Sequence, residues 1–274
     1  MQVRTNILMA AVVAITLLHP AGASVAAQQS EKPPAPVAVD PRAAQPERPT
    51  VATHAGTVAP GYWEVETGIE LDRFADASRS SVGTLVTKIG IGSHVQLSLF
   101  SAVVKPSDNS GGVGDFGVGV KWRLFDDHPV LGDFAMLPIL TVPTGSFAHG
   151  SGTGTTAGSL WLISSRDLGP LHLDLNVAYT MNDGSGATAP RSSWFWTMSW
   201  GGAFTPQFGW TVECYGVPGT GSAAGAPPLV ALLFGPTFTV QKSLVFDFGA
   251  IAPIVGQQPR AFFAGVTYNV GRIW

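Results

Sequence analysis

Few residues of this chain have types and spacings that could do chemistry. His149 and Ser151 stand two positions apart in a Gly-rich stretch and could supply a general base and a nucleophile. No G-x-S-x-G or H-E-x-x-H spacing accompanies them, and a loop of small residues carries such a pair by chance more often than for catalysis. No catalytic residue is therefore predicted. Gly112-Val113-Gly114-Asp115-Phe116-Gly117 matches G-x-G-x-x-G, which cradles a pyrophosphate only between a strand and a helix. Here the following residues, Phe116, Val118, Val120, Trp122 and Leu124, alternate with small or charged ones, which is the period of a strand. The glycines are expected to make room for bulky neighbours. Cys214, the single cysteine, shares an apolar row with Trp210 and Val212 and excludes an intramolecular disulfide. No cofactor and no metal site is predicted.

Five charges remain, Glu64, Glu66, Lys88, Lys121 and Arg123, each on the polar row of an alternating segment. If the fold gathers them inside a narrow enclosure, they are tolerable only when paired. Two roles follow: a salt-bridged plug that braces the wall, or a constriction that selects permeating solutes by charge.

The elements that would position them begin after an export signal. Arg4, the apolar run Ile7 to Leu18, and the small residues at Ala21-Gly22-Ala23 and Val25-Ala26-Ala27 mark residues 1–27 as a secretory signal peptide, cut after Ala23 or Ala27. Residues 28–60 are rich in Pro, Ala and scattered charge without an apolar period, and are expected to be a disordered linker. From 61 to 274 the composition turns to Gly, Val, Leu, Phe, Trp and Thr. Charged residues are only 12% of the chain, and the mean hydropathy is +0.24. A soluble domain of that make-up would expose large apolar patches, yet no run of about 18 apolar residues supplies a spanning helix. A closed barrel resolves both facts, because its strands satisfy each other's backbone and show lipid an apolar wall. The net charge of −3 argues against nucleic acid.

Period-two alternation is clearest at Leu171, Leu173, Leu175, Val177 and Tyr179 against His172, Asp174, Asn176, Ala178 and Thr180. Read this way, the chain has about twelve strands, near 61–73, 81–91, 94–104, 114–125, 131–142, 157–166, 170–181, 192–204, 208–217, 227–240, 243–253 and 261–274. Short connections alternate with longer Gly-, Ser-, Asn- and Pro-rich ones. This is the pattern of short periplasmic turns and long extracellular loops, with both termini periplasmic. A soluble β-sandwich is the competing fold, but it has no reason to sort its connections by end. Trp63, Trp122, Trp210 and Trp274 fall at the short-turn ends, where an interfacial girdle belongs. The fold class predicted is all-β, a closed antiparallel transmembrane β-barrel.

Three stretches, Gly114 to Phe125 (GDFGVGVKWRLF), Leu137 to Ser146 (LPILTVPTGS) and Phe263 to Trp274 (FAGVTYNVGRIW), resemble the outer-membrane barrel family named for the meta-pathway of phenol degradation. That resemblance implies a transporter of small, weakly polar solutes, aromatic ones among them, in the outer membrane of a Gram-negative bacterium. Outer-membrane barrels commonly end on a strand with a terminal aromatic that the barrel-assembly machinery reads. Tyr268, Val270 and Trp274 are the expected assembly signal, although Trp stands for the usual Phe and Arg272 for an apolar residue. The partners expected are outer-membrane lipids, the assembly machinery and a small-molecule solute, with the oligomeric state left open. Two other functions stay open, an outer-membrane enzyme acting at the extracellular rim and a non-conducting structural or adhesive barrel.

Overall fold

The computed structural model describes residues 40–107, 109–183, 190–220 and 226–274. The expected signal peptide and residues 28–39 of the expected linker lie outside the described residues. The strands begin with β1 (Tyr62–Arg73), β2 (Arg79–Gly92), β3 (Val95–Pro106), β4 (Gly112–Val113) and β5 (Phe116–His128). They continue with β6 (Gly132–Val142), β7 (Ala157–Leu168), β8 (Leu171–Asn182) and β9 (Ser192–Ala203). The last four are β10 (Phe208–Val217), β11 (Leu229–Gln241), β12 (Leu244–Val255) and β13 (Arg260–Arg272).

β4 is a two-residue ladder on β3. The other twelve strands pair antiparallel in chain order, β3 with β5 across the β4 connection and β13 back onto β1, so the sheet closes without a free edge. This is the twelve-stranded barrel that the alternation predicts, and each expected strand lies within a few residues of an observed one.

The rows sort as the alternation requires. On β8 Asp174, Asn176 and Ala178 are buried inside the barrel, whereas Leu175 and Val177 face outward and are 41% and 45% exposed. An outward apolar row exposed along every strand suits hydrocarbon rather than water. Short connections such as 93–94, 169–170 and 242–243 gather at one end, and the longer ones, such as 143–156, at the other. β1 starts and β13 finishes at the short-turn end.

Two differences from the sequence reading have clear causes. A bulge between Trp63 and Glu64 of β1 sets Trp63 opposite Gly271 and Glu64 opposite Asn269, skipping Val270. Beyond it the parity slips by one, so Val270, Arg272 and Trp274 do not continue the outward row of Phe262 to Tyr268. The larger difference concerns the expected linker. Its described part, residues 40–60, is not a free linker: it runs through the barrel interior as a strap, with Ala52, Ala55 and Val58 buried. Pro41, Pro46, Pro49 and Pro60 deny it a helix or a regular ladder, and the barrel wall supplies the hydrogen bonds that solvent would otherwise give.

Candidate lumen site

The strap enters at the short-turn end, where the Ala44 N–H donates to the Lys242 carbonyl at 2.8 Å. Its N–H groups then bond to inward side chains around the ring. Gln45 donates to Glu64 at 2.8 Å and Glu47 to Glu66 at 2.7 Å. Val51 and Ala52 each donate to the Glu213 carboxylate at 2.8 Å. Thr53 donates to Asn176 Oδ1 at 2.7 Å and receives the Asn176 amide on its own carbonyl at 2.9 Å. Ala55 donates to Ser165 Oγ at 2.7 Å and Val58 to Gln96 Oε1 at 2.9 Å. The strap rejoins the wall where Pro60 bridges Gly90. Bonds to β1, β10, β8, β7 and β3 in one pass are possible only from inside the barrel. Extended backbone in an enclosed space needs acceptors, and inward carboxylates and amides provide them.

Four of the five predicted charges meet here. Lys88 Nζ lies 2.7 Å from Glu64 and 2.6 Å from Glu66, and Glu64, Lys88 and Lys121 are fully buried. Lys121 pairs with Glu47 of the strap and donates to Thr53 Oγ1 at 2.7 Å and the His54 carbonyl at 2.8 Å. Burial pushes the Glu47 carboxyl up, but the ammonium groups of Lys121 and Lys88 outweigh it and hold Glu47 below the usual carboxylate range. A buried charge persists only with such partners. Arg123 does not join them: it pairs with Asp126 at 2.9 Å, with an exposed partner at the short-turn rim.

Arg48 reaches from the strap onto the wall formed by β12, β13, β1 and β2. Its Nε and Nη2 each lie 3.1 Å from an oxygen of Asp247 on β12, and its Nη1 donates to Thr84 of β2 at 3.2 Å. The guanidinium rests on Gly68 and Gly265, which face each other across the β1–β13 ladder. A Cβ added at Gly265 would come within 2.3 Å of Arg48 Nε, and one at Gly68 within 2.6 Å of Nη2.

Two cavities flank this crossing and both are lined by Arg48 and Thr50. One, about 210 Å³, is walled by Phe100, Leu137, Ile139 and Trp161. The other, about 310 Å³, reaches toward the short-turn end beside His54, His172, Asp174 and Thr211. Beside and above the strap the inward surface carries an apolar region from β7 to β13, while Glu70 and the buried Asp72 of β1 face inward beside it. Trp161 and Phe195 have ring centroids 5.3 Å apart, Phe195 and Tyr215 6.1 Å, so an aromatic band runs around the inner wall from β7 to β10. Leu233, Ile251 and Phe263 continue it. Gly117 and Gly119 on β5 make room for Phe100, Leu137 and Ile139, whose atoms would lie 3.0–3.3 Å from an added Cβ.

The other candidates are dispersed. Ser151 Oγ accepts the Ser146 N–H at 3.0 Å and is buried, with no bond to His149. Asp115 of the Gly-rich motif accepts the Gly145 and Thr153 N–H groups at 3.0 and 2.8 Å, and strand β5, not a helix, follows it. Among the described residues no group of three or more His, Cys, Asp or Glu side chains could hold a metal ion. Tyr268 faces outward opposite Val65, and Trp274 folds back against Gly61. Arg48, Glu47, Glu213 and the aromatic band escape the sequence reading. The strap residues lie in a segment without an apolar period, and Trp161 and Phe195 lie on strands apolar on both faces.

No protein-family model matches the chain, and no curated protein matches it. Solved structures do. An outer membrane channel from Pseudomonas putida F1 superposes with a TM-score of 0.59 at 13% identity, over 80% of this chain and 98% of that one. The KdgM porin, in complex with disordered oligogalacturonate, superposes with a TM-score of 0.52 at 12% identity, over 75% of this chain and 98% of that one. At such identities the likeness establishes the fold, that of an outer-membrane β-barrel.

Proposed function

We propose that this chain is an outer-membrane channel for passive passage of small, weakly polar solutes, aromatic ones included, with a lumen narrowed by its own N-terminal strap. The short turns and both termini lie in the periplasm in this reading, and the long loops outside. Solutes move along the aromatic band to the cavity under Phe100 and Trp161, then past Arg48 to the cavity at the short-turn end. The observation that carries the proposal is the cavity under Phe100 and Trp161, walled also by Leu137 and Ile139: apolar walls with few polar groups suit weakly polar ligands. The resemblance to the phenol meta-pathway barrels points to the same solute class. Glu64, Glu66, Lys88 and Lys121 then act through the strap, fixing the constriction rather than filtering charge directly.

A second reading, a non-conducting braced barrel, is favoured by the number of bonds that pin the strap to the wall. Flux separates the two. In proteoliposomes the mature protein is expected to admit phenyl glucoside faster than methyl glucoside, and Trp161→Ala with Phe195→Ala to reduce that preference. Flux of neither solute above empty vesicles would favour the braced barrel.

A further inference from the structure

At the long-loop end, three arginines stand side by side on the outer wall. Arg73 of β1 is in register with Arg79 of β2 on one side and with Arg260 of β13 on the other. Their neighbours fix the direction. Asp72 and Ala261 are buried inside, while Leu71 and Phe262, on the same row as the arginines, are 52% and 71% exposed outside. Lys105 of β3 joins one step below, opposite Ser81, its Nζ held by the Asn109 and Ser110 carbonyls at 3.4 and 3.2 Å. Like charges directly opposite on adjacent strands repel. Two carboxylates of this hairpin are engaged by serines: Asp72, which also lines the adjoining recess, accepts from Ser80, and Asp76 accepts from Ser78 at the hairpin tip. Among the described residues none of the three guanidinium groups has an ion pair or side-chain hydrogen bond.

The row also borders a recess of about 950 Å³ between the β1–β2 and β12–β13 hairpins. The three arginines, Leu71, Phe262 and Gln257 are among its lining. Below it the outer wall is apolar, with Ile69 and Val103 more than half exposed. The cations therefore sit where hydrocarbon gives way to head groups, above a floor that a purely aqueous ion would leave uncovered.

We propose that this recess binds a membrane glycolipid bearing phosphate monoesters, its phosphates on Arg73, Arg79 and Arg260 and its acyl chains along Leu71 and Phe262. A phosphate monoester carries close to two negative charges and several acceptor oxygens, which the planar guanidinium fork meets in pairs. Three adjacent cations suit that charge better than a single diester does.

The test uses the full mature chain in detergent and native mass spectrometry. Its probes are bisphosphorylated lipid A, the same lipid with its phosphates removed, phosphatidylglycerol and inorganic phosphate. The expected result is retention of bisphosphorylated lipid A at least about tenfold tighter than the dephosphorylated lipid or phosphatidylglycerol, and a loss of about tenfold or more in Arg73→Gln/Arg79→Gln/Arg260→Gln. Arg123→Gln, a change at the other rim, is expected to bind as the parent does. If the triple variant does not fold, Arg73→Gln alone, flanked by both other arginines, takes its place and is expected to lose affinity. Equal retention of the dephosphorylated lipid, or unchanged binding by the folded variant, overturns the site. Displacement by millimolar inorganic phosphate makes it a free-anion site, and tighter binding of phosphatidylglycerol makes it a phospholipid site; either result overturns the glycolipid.

Discussion

Arg48 and Asp247, 199 residues apart in the chain, meet in the barrel lumen as a two-point pair, with both N···O distances at 3.1 Å. Asp247 is almost wholly buried and the Arg48 side chain is 18% exposed, so the pair is shielded enough to matter. Asp247→Ala is expected to cost roughly 3 kcal/mol, because it leaves a guanidinium enclosed without its anion. Gly265→Val should expel Arg48 without removing a charge, since its Cβ would overlap the guanidinium. Both variants are expected to show a lower thermal midpoint and larger single-channel conductance. A normal midpoint in both would mean that Arg48 does not anchor the strap.

Lys121 and Arg123 lie two residues apart on one strand and are expected to respond differently. Lys121→Gln leaves Glu47 enclosed without its cation, at a cost on the order of 3–5 kcal/mol. Arg123→Gln removes only a pair with a half-exposed Asp126, worth at most about 1 kcal/mol. Urea titration of the barrel refolded into lipid checks the order. Equal effects would place both residues in the same environment, against the geometry.

The outer wall supplies a depth test. Val177→Arg puts a charge on the lipid row of β8, at an expected cost of about 2–4 kcal/mol if the residue lies near the midplane. Its neighbour Asn176 faces the lumen but is no neutral control, because it holds Thr53 of the strap through two hydrogen bonds. Thr180, also inward and only half-buried, is the better comparison. Greater harm from Thr180→Arg than from Val177→Arg would show the faces to be assigned in reverse.

At the closing strand, Tyr268→Asp and deletion of Trp274 are each expected to lower the amount of inserted barrel without reducing export. Tyr268 continues the outward row beside Val65 at the β1–β13 seam. Pulse-labelled cells fractionated into periplasm and outer membrane give the readout. Normal insertion of both variants would deny these residues a part in assembly.

The barrel was legible because lipid and lumen impose opposite chemistry on alternate residues, and β8 writes that alternation plainly. The partnership of Glu64 and Glu66 with Lys88 was legible too, since opposite charges on inward rows of β1 and β2 can hardly avoid each other. The strap was not. A Pro- and Ala-rich segment carries no periodicity whether it hangs in water or threads a lumen, and only the matching inward carboxylates, Glu213 above all, could have hinted at the backbone they receive. Trp161 and Phe195 of the aromatic band were hidden for a different reason: where β7 and β9 are apolar on both faces, period two loses its contrast. Val270 shows a third limit, because a single bulge reverses the parity that the sequence pattern assumes.

The proposed control of passage by the strap is tested most directly by single-channel conductance of the mature protein beside a chain lacking residues 40–57, both confirmed as folded barrels by heat-dependent mobility. Removing the strap frees the inward carboxylates and joins the two cavities, so conductance is expected to rise several-fold and the preference for phenyl glucoside over methyl glucoside to fall. A folded deletion variant with unchanged conductance would contradict the account, because the lumen would then be limited elsewhere than at Arg48 and the strap.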